Sequence, residues 1–578
     1  MAIWPRNLLG EWSRLFVGSL TASGVRDVVV SPGSRSTPLV CALLEQTDIR
    51  VTSALDERSA GFFALGLARQ SGRAPLLVCT SGSAGAHYYP AVVEAAESRL
   101  PLLVVTANRP GELQDCAAAQ TIDQTRLFGR FARGFFALGE PQPLEDALRG
   151  LRRKACQGWA LAHGPEAGPV HFDFPARKPL EPHPAETADE LWLSERVTTL
   201  LAGVPRVHGA RLEPSSEALD ELARQWQGAA RPLVLLGATD AASAESVARL
   251  VEHTGAAWLA ETAGHAPSAA PAQTMLDRFG ERLPAPDWIV RFGPPLTAAS
   301  APGYQARVAA PLAVVTPYGY PDPEGDAVLV VQGEVGAVAE ALLARLSQST
   351  ERPEATAWKQ EWSAAARRVD EALGALLTDS APWSEQVAID AALSRLPAGA
   401  QLCLGNSLPL RWADAVRRHA LGDRVVRTFV QRGANGIDGL LAGAAGVALG
   451  SEAPTLLVVG DVTAAHDLSS LALAREASVP LCILVVDNDG GHIFDQLPLA
   501  TRGEELGAGW KFWSTPPRLD FGAAAAAYGV DFAVARSRFE LESAVDQALR
   551  RPGTTLVHAP VEARAAWAFR QALERQLA

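Results

Sequence analysis

The sequence predicts an α/β protein, and three observations support that prediction. Short continuous runs of Val, Leu and Ile recur along the chain, amphipathic helical patterns separate them, and 578 residues exceed the capacity of one core. A continuous apolar run is typical of a strand buried on both faces, as in a parallel sheet. Helical segments between such strands indicate βαβ units. We therefore expect roughly two to four domains, each a mainly parallel sheet flanked by helices.

The apolar runs give the expected strand positions in chain order. Examples of these runs are Arg26–Val30, Pro75–Cys79, Pro101–Thr106, Pro232–Leu236, Asp287–Arg291, Ala327–Val331, Thr455–Val459 and Pro480–Val486. A shorter strand-like segment, Val51–Ala54, precedes the helical run Gly61–Ala68.

Two polar, proline-containing stretches interrupt this alternation and are predicted linkers. Phe174–Asp189 carries four prolines, and Ser347–Ala355 is short and polar. They divide the chain into three expected domains, at residues 1–182, 190–350 and 356–578.

Composition and charge exclude several classes of protein. The net charge of −12 argues against a nucleic-acid surface, which needs clustered positive charge. The first sixteen residues lack the apolar segment of a signal peptide, and no apolar run is long enough to span a bilayer. The six cysteines are scattered without a CxxC pair, which favours reduced, buried thiols in a cytoplasmic enzyme. They are Cys41, Cys79, Cys116, Cys156, Cys403 and Cys482.

Oxygen-donor side chains follow two expected strands of the C-terminal third. Thr455–Val459 leads into Gly460 and Asp461, and Pro480–Val486 leads into a turn with Asn488 and Gly490. Ligands of parallel sheets bind outside the carboxyl ends of the strands. One carboxylate, one amide and a turn carbonyl suit Mg²⁺, which completes its shell with water and phosphate oxygens. Each turn alone would be read as an ordinary turn, but together they favour a cofactor site. Their arrangement resembles the GDG…N diphosphate motif of thiamine-diphosphate enzymes, although Val462 stands at the usual third glycine.

Thiamine-diphosphate chemistry needs a carboxylate against the aminopyrimidine ring, and Glu57 is the candidate. Asp56 is the expected N-cap of a helix, with Glu57 in its first turn, where a glutamate also suits the helix dipole. Proton sharing by Glu57 requires apolar surroundings, which Phe62, Phe63 and Leu65 can provide. A second small-residue turn, containing Ser81 and Gly82, follows the run Pro75–Cys79.

The whole chain resembles the MenD family of thiamine-diphosphate enzymes. Eight segments match that family in order: SPGSRSTPL, DERSAGFFALGLAR, TSGSAGAHYYPAVVEA, NRPGEL, GNSLPLR, RGANGIDGLL, GDVTAAHDLSSL and DNDGGHIFDQLP. This family does not keep the third glycine of the motif, which accounts for Val462. The resemblance implies a pyrimidine-binding, a central and a diphosphate-binding domain, with the active site between two subunits of a homodimer or homotetramer.

The resemblance also implies a reaction and a set of site residues. The family decarboxylates 2-oxoglutarate on thiamine diphosphate and adds the resulting carbanion to isochorismate, in menaquinone biosynthesis. Arginine suits these dicarboxylates because it binds a carboxylate through two hydrogen bonds. The implied substrate residues are Ser34, Arg35, Arg109, Gln120, Asn406, Ser407, Arg411, Arg432, Ile493 and Phe494. Those implied for the cofactor are Glu57, Ser81, Gly82, Ile437, Gly460, Asp461, Asn488 and Gly490. Asp461, Asn488 and the Gly490 carbonyl would hold Mg²⁺ or Mn²⁺.

The sequence departs from the family at one position and leaves three alternative interpretations open. The family has a central-domain lysine where this chain has Ala299, so we expect Arg291 or Arg307 to supply that cation. Arg109 and Arg432 could instead be a strand-end residue and a surface turn residue. Another thiamine-diphosphate enzyme, a 2-oxoacid decarboxylase or acyloin synthase, would not need the Arg35 and Arg432 cluster. A non-catalytic binding protein of the same fold would not need Glu57, Asp461 and Asn488 together.

Overall fold

The structure is a computed structural model that describes residues 4–279, 282–347, 353–502 and 507–577. Its strands are β1 Asp27–Val30, β2 Arg50–Ser53, β3 Leu76–Cys79, β4 Leu102–Asn108, β5 Gly134–Ala137, β6 Pro169–Pro175, β7 Pro232–Leu236, β8 Ala257–Ala260, β9 Ala270–Pro271, β10 Trp288–Phe292, β11 Leu312–Thr316, β12 Ala327–Gln332, β13 Gln401–Leu404, β14 Arg427–Val430, β15 Thr455–Gly460, β16 Pro480–Asp487, β17 Asp531–Val534 and β18 Gly553–Pro560. Each of the eight predicted runs contributes to one of these strands.

Helices follow most of the strands. They are α1 Leu8–Ser23, α2 Thr37–Leu44, α3 Glu57–Ser71, α4 Ala84–His87, α5 Tyr89–Glu97, α6 Glu145–His163, α7 Ala188–Ala202, α8 Ser216–Gly228, α9 Ala241–Thr254, α10 Ala272–Phe279, α11 Ala301–Val308, α12 Val335–Leu346, α13 Pro353–Leu376, α14 Glu385–Ser394, α15 Leu408–Leu421, α16 Leu440–Ser451, α17 Asp461–His466, α18 Leu471–Ala474, α19 Lys511–Ser514, α20 Phe521–Tyr528, α21 Arg538–Arg550 and α22 Ala563–Leu577.

Within the described residues the strands form three parallel six-stranded sheets. Their orders are β2-β1-β3-β4-β6-β5, β12-β11-β10-β7-β8-β9 and β14-β13-β15-β16-β18-β17. Every paired strand in them is parallel. The α/β fold with three helix-flanked parallel sheets is thus confirmed.

The chain forms two compact units. The first comprises residues 1–210, 431–452 and 466–478 and contains the first sheet. The second comprises residues 211–430, 453–465 and 479–578 and contains the other two sheets. Each unit has a buried aliphatic core on its sheets. The expected domain bounds of 182, 190, 350 and 356 stay a prediction.

The linkers are shorter in the structure than the sequence predicts. β6 continues to Pro175 and α7 begins at Ala188, so the irregular segment is 176–187. Of the stretch Ser347–Ala355, residues 348–352 lie outside the described residues, and α13 begins at Pro353.

The cysteines are unbonded, but they are not all buried as predicted. Cys79, Cys156, Cys403 and Cys482 are buried, whereas Cys41 is half-buried and Cys116 is exposed. Cys116 lies between β4 and β5 in a loop with little regular structure, which gives its side chain no core to enter. Among the described residues, no helix is both long enough and apolar enough to cross a membrane.

Candidate active site

Five predicted residues of the first unit follow the carboxyl ends of its parallel strands. Ser34 and Arg35 follow β1, Glu57 follows β2, Ser81 follows β3, and Arg109 follows β4. Because all of these strands run the same way, these residues share one edge of the sheet. This is the edge at which the ligands of such sheets bind.

The turn after β1 holds Ser34 and Arg35 in different environments. Ser34 is exposed, whereas Arg35 is buried and its Nη1 donates to the carbonyl of Ala176 at 2.6 Å. A Cβ on Gly33 would lie 2.3 Å from Cβ of Thr80, so only glycine allows this turn to approach the end of β3 so closely.

Glu57 begins α3, as predicted, after the N-cap Asp56, whose side chain accepts from the Arg58 N–H at 2.9 Å. The Glu57 side chain is half-buried. Burial raises the pKa of the fully buried Cys79 thiol and of the Tyr88 phenol, and the nearby Glu57 carboxylate adds to both shifts. Glu57 is therefore a carboxylate close to buried, weakly polar groups.

The turn after β3 is tied to the loop that carries Gln120. Ser81 Oγ donates to the Gln120 carbonyl at 3.0 Å, and Gln120 Nε2 donates to the Ser81 carbonyl at 3.2 Å. Arg109 joins the same loop, because its Nη2 donates to the Ala119 carbonyl at 3.0 Å. Gly82 has a φ of +84°, and a Cβ there would lie 2.8 Å from Cγ of Gln120. The structure thus brings Ser81, Gly82, Arg109 and Gln120 together.

Gln124 organises this loop and was not among the predicted site residues. Its side chain is buried and accepts from the Gly82 N–H at 3.3 Å. Its Nε2 lies 3.0 Å from both Thr106 Oγ1 and Asp173 Oδ1. No motif singles out this glutamine in a polar segment, so its role emerges only when the loop is folded.

Arg432 and Ile437 also belong to the first unit. Arg432 is exposed and Ile437 is half-buried, and both lie in the segment 431–439 that precedes α16. Two contacts hold the far end of this segment: Arg58 Nη1 lies 3.2 Å from Asp438 Oδ1, and Gln431 Nε2 donates to the Gly439 carbonyl at 3.3 Å.

In the second unit, Asn406, Ser407 and Arg411 follow β13. Asn406 is buried, and Arg411 Nη1 donates to the Ser407 carbonyl at 2.8 Å. Ser407 has a φ of +72°, a conformation that costs energy for a residue with a Cβ. Such strained residues occur preferentially where function fixes the backbone.

Asp461 and the turn at Gly490 meet at the carboxyl ends of β15 and β16. Asp461 is buried and accepts from the Gly490 N–H. Burial raises the pKa of Asp461 to about 7, and the neighbouring Asp487 carboxylate contributes to the shift. Within the described residues, Asp461 Oδ2 is buried without a hydrogen-bond partner. A cation would compensate that oxygen.

Asn488 directly follows Asp487 and is held by Glu385, which was not among the predicted site residues. Its Nδ2 donates to Oε1 of the buried Glu385 at 2.6 Å, so the amide oxygen is the atom of this side chain that can face a ligand. Asp487 is anchored in turn by His558 Nε2 at 2.8 Å. Glu385 stands in no motif quoted from the sequence, so only the fold reveals this contact.

These residues fit a divalent cation and a diphosphate. Asp461, Asn488 and the Gly490 carbonyl supply hard oxygen donors, and Gly460 faces open space, since a Cβ there would meet no atom within 4 Å. Among the described residues no three His, Cys, Asp or Glu side chains converge as a metal cluster. The proposed ligands include only one carboxylate, so they would not count as such a cluster. Mg²⁺ does not require three such side chains, because it completes its shell with water and phosphate oxygens.

Ile493 and Phe494 follow the Gly490 turn in a short 3₁₀ segment, His492–Gln496. Phe494 is exposed, and Ile493 is half-buried. Arg291 of β10 is buried and donates to the Pro321 carbonyl. Arg307 lies over Tyr304, with its Cζ atom 5.2 Å from the centre of the ring. The replacement of the family lysine by Arg291 or Arg307 stays a prediction.

Comparisons with known proteins agree with this geometry. Residues 11–127 match the thiamine pyrophosphate enzyme N-terminal TPP binding domain, and residues 418–559 match the corresponding C-terminal domain. Two solved structures share the fold at 18% sequence identity. Benzoylformate decarboxylase from Polynucleobacter necessarius matches with a TM-score of 0.70, over 96% of this chain and 98% of that one. A protein from Mycobacterium smegmatis assigned as a thiamin diphosphate-dependent enzyme matches with a TM-score of 0.71, over 95% of this chain and 99% of that one.

Similar sequences extend over nearly the full length. The chain is similar to proteins named 2-succinyl-5-enolpyruvyl-6-hydroxy-3-cyclohexene-1-carboxylate (SEPHCHC) synthase. The protein of that name from Sorangium cellulosum is 40% identical over 96% of this chain and 93% of the relative. The one from Roseiflexus castenholzii is 36% identical over 98% of both chains. That of Geobacillus thermodenitrificans matches at 35% over 95% and 93%. The chain belongs to the SEPHCHC synthase family of thiamine pyrophosphate enzymes, the MenD family.

Proposed function

We propose that this protein is a SEPHCHC synthase (EC 2.2.1.9), a thiamine-diphosphate-dependent transferase of menaquinone biosynthesis. It would decarboxylate 2-oxoglutarate and add the remaining four-carbon unit to isochorismate in a 1,4-addition. The observation that carries the proposal is similarity over nearly the full length to proteins of that name, at 35–40% identity. Bound thiamine diphosphate would supply the carbanion chemistry of both steps.

Glu57 would be the catalytic carboxylate. As the first residue of α3, it would hold and return a proton at the aminopyrimidine ring of the cofactor. Its half-buried position close to the buried Cys79 and Tyr88 supports this role, because general acid–base catalysis needs a carboxylate held in place beside the bound ring.

The substrate residues would bind carboxylates and hydroxyls. Both substrates are dicarboxylates, and a carboxylate in a partly dry pocket needs a cation and hydrogen-bond donors. Arginine supplies both. The proposed substrate residues are Ser34, Arg35, Arg109, Gln120, Asn406, Ser407, Arg411, Arg432, Ile493 and Phe494.

The cofactor would be held through its diphosphate and its rings. Asp461, Asn488 and the Gly490 carbonyl would bind Mg²⁺ or Mn²⁺, and the buried, unpartnered Asp461 Oδ2 supports that role. Ser81, Gly82 and Gly460 would approach the cofactor closely, and Ile437 would be the apolar wedge beneath it.

We further propose a homodimer, or a dimer of dimers, in the cytoplasm. The pyrimidine-binding domain of one subunit, residues 1–182, would face the diphosphate-binding domain of another, residues 356–578, with the central domain at 190–350. The family resemblance supports this assembly.

One incubation tests the proposed function directly. The purified protein is mixed with thiamine diphosphate, Mg²⁺, 2-oxoglutarate and isochorismate, and CO₂ and the adduct are measured. We expect both products. CO₂ without the adduct would indicate another thiamine-diphosphate 2-oxoacid decarboxylase, and neither product would indicate a binding protein of the same fold.

A further inference from the structure

The segment 431–439, which carries Arg432 and Ile437, is anchored by a single buried carboxylate. Glu94 of α5 accepts from three successive backbone N–H groups: Gly433 on Oε1 at 3.1 Å, and Ala434 and Asn435 on Oε2 at 2.8 and 3.0 Å. These four residues lie in the first unit. A glutamate that is distant in sequence therefore closes a turn next to two proposed site residues.

The charge of Glu94 is balanced by an arginine, and a serine adds a further hydrogen bond. Arg69 Nη2 of α3 lies 2.6 Å from Oε1, and Ser98 Oγ donates to the same oxygen at 2.8 Å. Its two oxygens thus accept five hydrogen bonds, and the residue is only 1% exposed. A buried carboxylate is costly unless paired and fully hydrogen-bonded, and here both conditions hold.

The fit between turn and helix leaves no space for a larger residue. A Cβ on Gly433 would lie 2.5 Å from Ser98 Oγ and 2.7 Å from the Ser98 backbone nitrogen. The turn therefore packs closely against the end of α5, where glycine allows the approach and the Glu94 carboxylate holds three backbone amides. A shift of this turn would move its flanking residues, Arg432 and Ile437.

We propose that Glu94 is a positioning residue that sets where Arg432 meets the substrate and where Ile437 supports the cofactor. This rests on the proposed function, which gives those two residues their roles. Glu94 itself contacts neither ligand and acts through the three amides of 433–435. The ion pair with Arg69 couples the turn to α3, the helix that begins with Glu57.

The test compares Glu94→Gln with a buried glutamate of the same unit that lies outside the site. An amide offers one acceptor oxygen, so Glu94→Gln cannot serve all five donors, and its NH₂ group faces donors. Glu11 of α1 is the matched control, because it is fully buried and paired with Arg14 at 3.1 Å. Gly433→Ala is a second variant that displaces the turn without touching Glu94.

Three readouts are measured: thiamine-diphosphate affinity with Mg²⁺, the KM for isochorismate against kcat, and hydrogen exchange of the 433–435 amides. We expect Glu94→Gln and Gly433→Ala to weaken cofactor affinity and raise KM by roughly 10- to 100-fold, as for other supporting contacts. Amide exchange at 433–435 should also become faster in Glu94→Gln. Glu11→Gln should lower the melting temperature and leave all three readouts as in the wild type.

When Glu94→Gln folds, either of two outcomes would overturn the proposal. One is wild-type cofactor affinity and KM in Glu94→Gln; the other is an equal change in Glu11→Gln, which would show a merely structural role. If Glu94→Gln does not fold, unchanged cofactor affinity in Gly433→Ala would overturn it. If the wild type forms no isochorismate adduct, the proposed function is wrong. The role of Glu94 is then tested by thiamine-diphosphate affinity alone, which should still be weaker in Glu94→Gln than in the wild type.

Discussion

Glu57 offers the most direct test at the scale of single residues. We expect Glu57→Gln to fold normally and keep most of its cofactor affinity, because the substitution preserves size. It should lose nearly all turnover, because the amide cannot exchange the proton. Adduct formation and cofactor binding by the variant check this, and turnover near the wild-type rate would remove Glu57 from the catalytic role.

Arg432 and Arg35 are expected to act on substrate binding rather than on cofactor binding. Loss of a charge pair in a desolvated site costs about 2–5 kcal/mol, so Arg432→Ala should raise the substrate KM strongly. The exposed Arg432 should tolerate the change without loss of stability, whereas the buried Arg35 also holds the Ala176 carbonyl. Steady-state kinetics and thermal melts on both variants separate the two effects. Substrate KM values near wild type in both would contradict the carboxylate role.

His171 of β6 should make the protein sensitive to acid. Its ring is fully buried beside Phe128 and shares a hydrogen bond with Thr106 Oγ1 at 2.9 Å. Burial lowers the pKa of His171 to about 3, below the value of about 6.5 in the unfolded chain. The unfolded state therefore binds the extra proton between these values, and stability falls as the pH drops from about 6.5 toward 3.

Replacement of His171 should weaken that acid sensitivity. Denaturant unfolding at pH 7 and pH 4.5 gives the free energy of unfolding at each pH. The fall of this free energy should be smaller in His171→Gln, by up to about 1.4 kcal/mol per pH unit, than in the wild type. His208→Gln, an exposed control, should behave like the wild type. Identical pH dependence in all three would contradict this role for His171.

Single residues within motifs were accessible from the sequence, and isolated ones were not. Glu57, Asp461 and Asn488 stand in quoted segments, and the structure places each at a strand or helix end as expected. Gln124 and Glu385 stand in none. Their importance depends on partners 42 and 103 residues away, respectively, and such pairing exists only after folding.

At the scale of elements, some central strands were predictable because they are buried on both faces, but β11 and β13 are equally buried and were not among the predicted runs. β1, β3, β4, β7 and β16 are almost entirely buried, and each has a continuous apolar run. The edge strands β5 and β17 were not predicted, whereas the edge strand β12 was. β5 and β17 are half-exposed or exposed at every residue, so their sequences mix polar or small residues with apolar ones. The apolar-run criterion does not detect such strands.

The packing of α16 on α3 depends on glycines and gives an element-scale prediction. A Cβ on Gly66 of α3 would lie 2.0 Å from the Gly443 carbonyl oxygen of α16. Because that neighbour is backbone, it cannot move aside cheaply. We expect Gly66→Ala to destabilise the protein by about 1–3 kcal/mol.

The control for Gly66→Ala is a glycine in open space. Gly150 lies inside α6, where a Cβ would meet nothing within 4 Å. Gly150→Ala should be neutral or stabilising, since alanine favours helices over glycine by about 0.5–1 kcal/mol. Denaturant midpoints for both variants test the packing argument, and equal midpoints would contradict it.

At the scale of the whole molecule, the sequence predicted the three sheets but did not predict that α16 belongs to the first unit. Contacts assign residues 431–452 to the first unit, although they lie in the C-terminal third of the chain. The close approach of Gly66, Gly443 and Gly446 and the Glu94 anchor explain that assignment. Linkers divide the chain into consecutive segments, so they cannot show that a C-terminal segment packs with the N-terminal unit.

Cofactor and metal together should stabilise the whole folded protein, and Asp461 should mediate that effect. A ligand that binds only the folded state adds about 2.7 kcal/mol at 100 times its Kd. Thiamine diphosphate with Mg²⁺ should therefore raise the melting temperature, and EDTA should remove most of the gain. In Asp461→Ala the gain should be lost, because the ion would join the protein to the diphosphate. Asp423→Ala, at an exposed carboxylate of the same unit, should keep it. An Asp461→Ala protein that still gains stability only when both cofactor and Mg²⁺ are present would mean that the metal binds elsewhere.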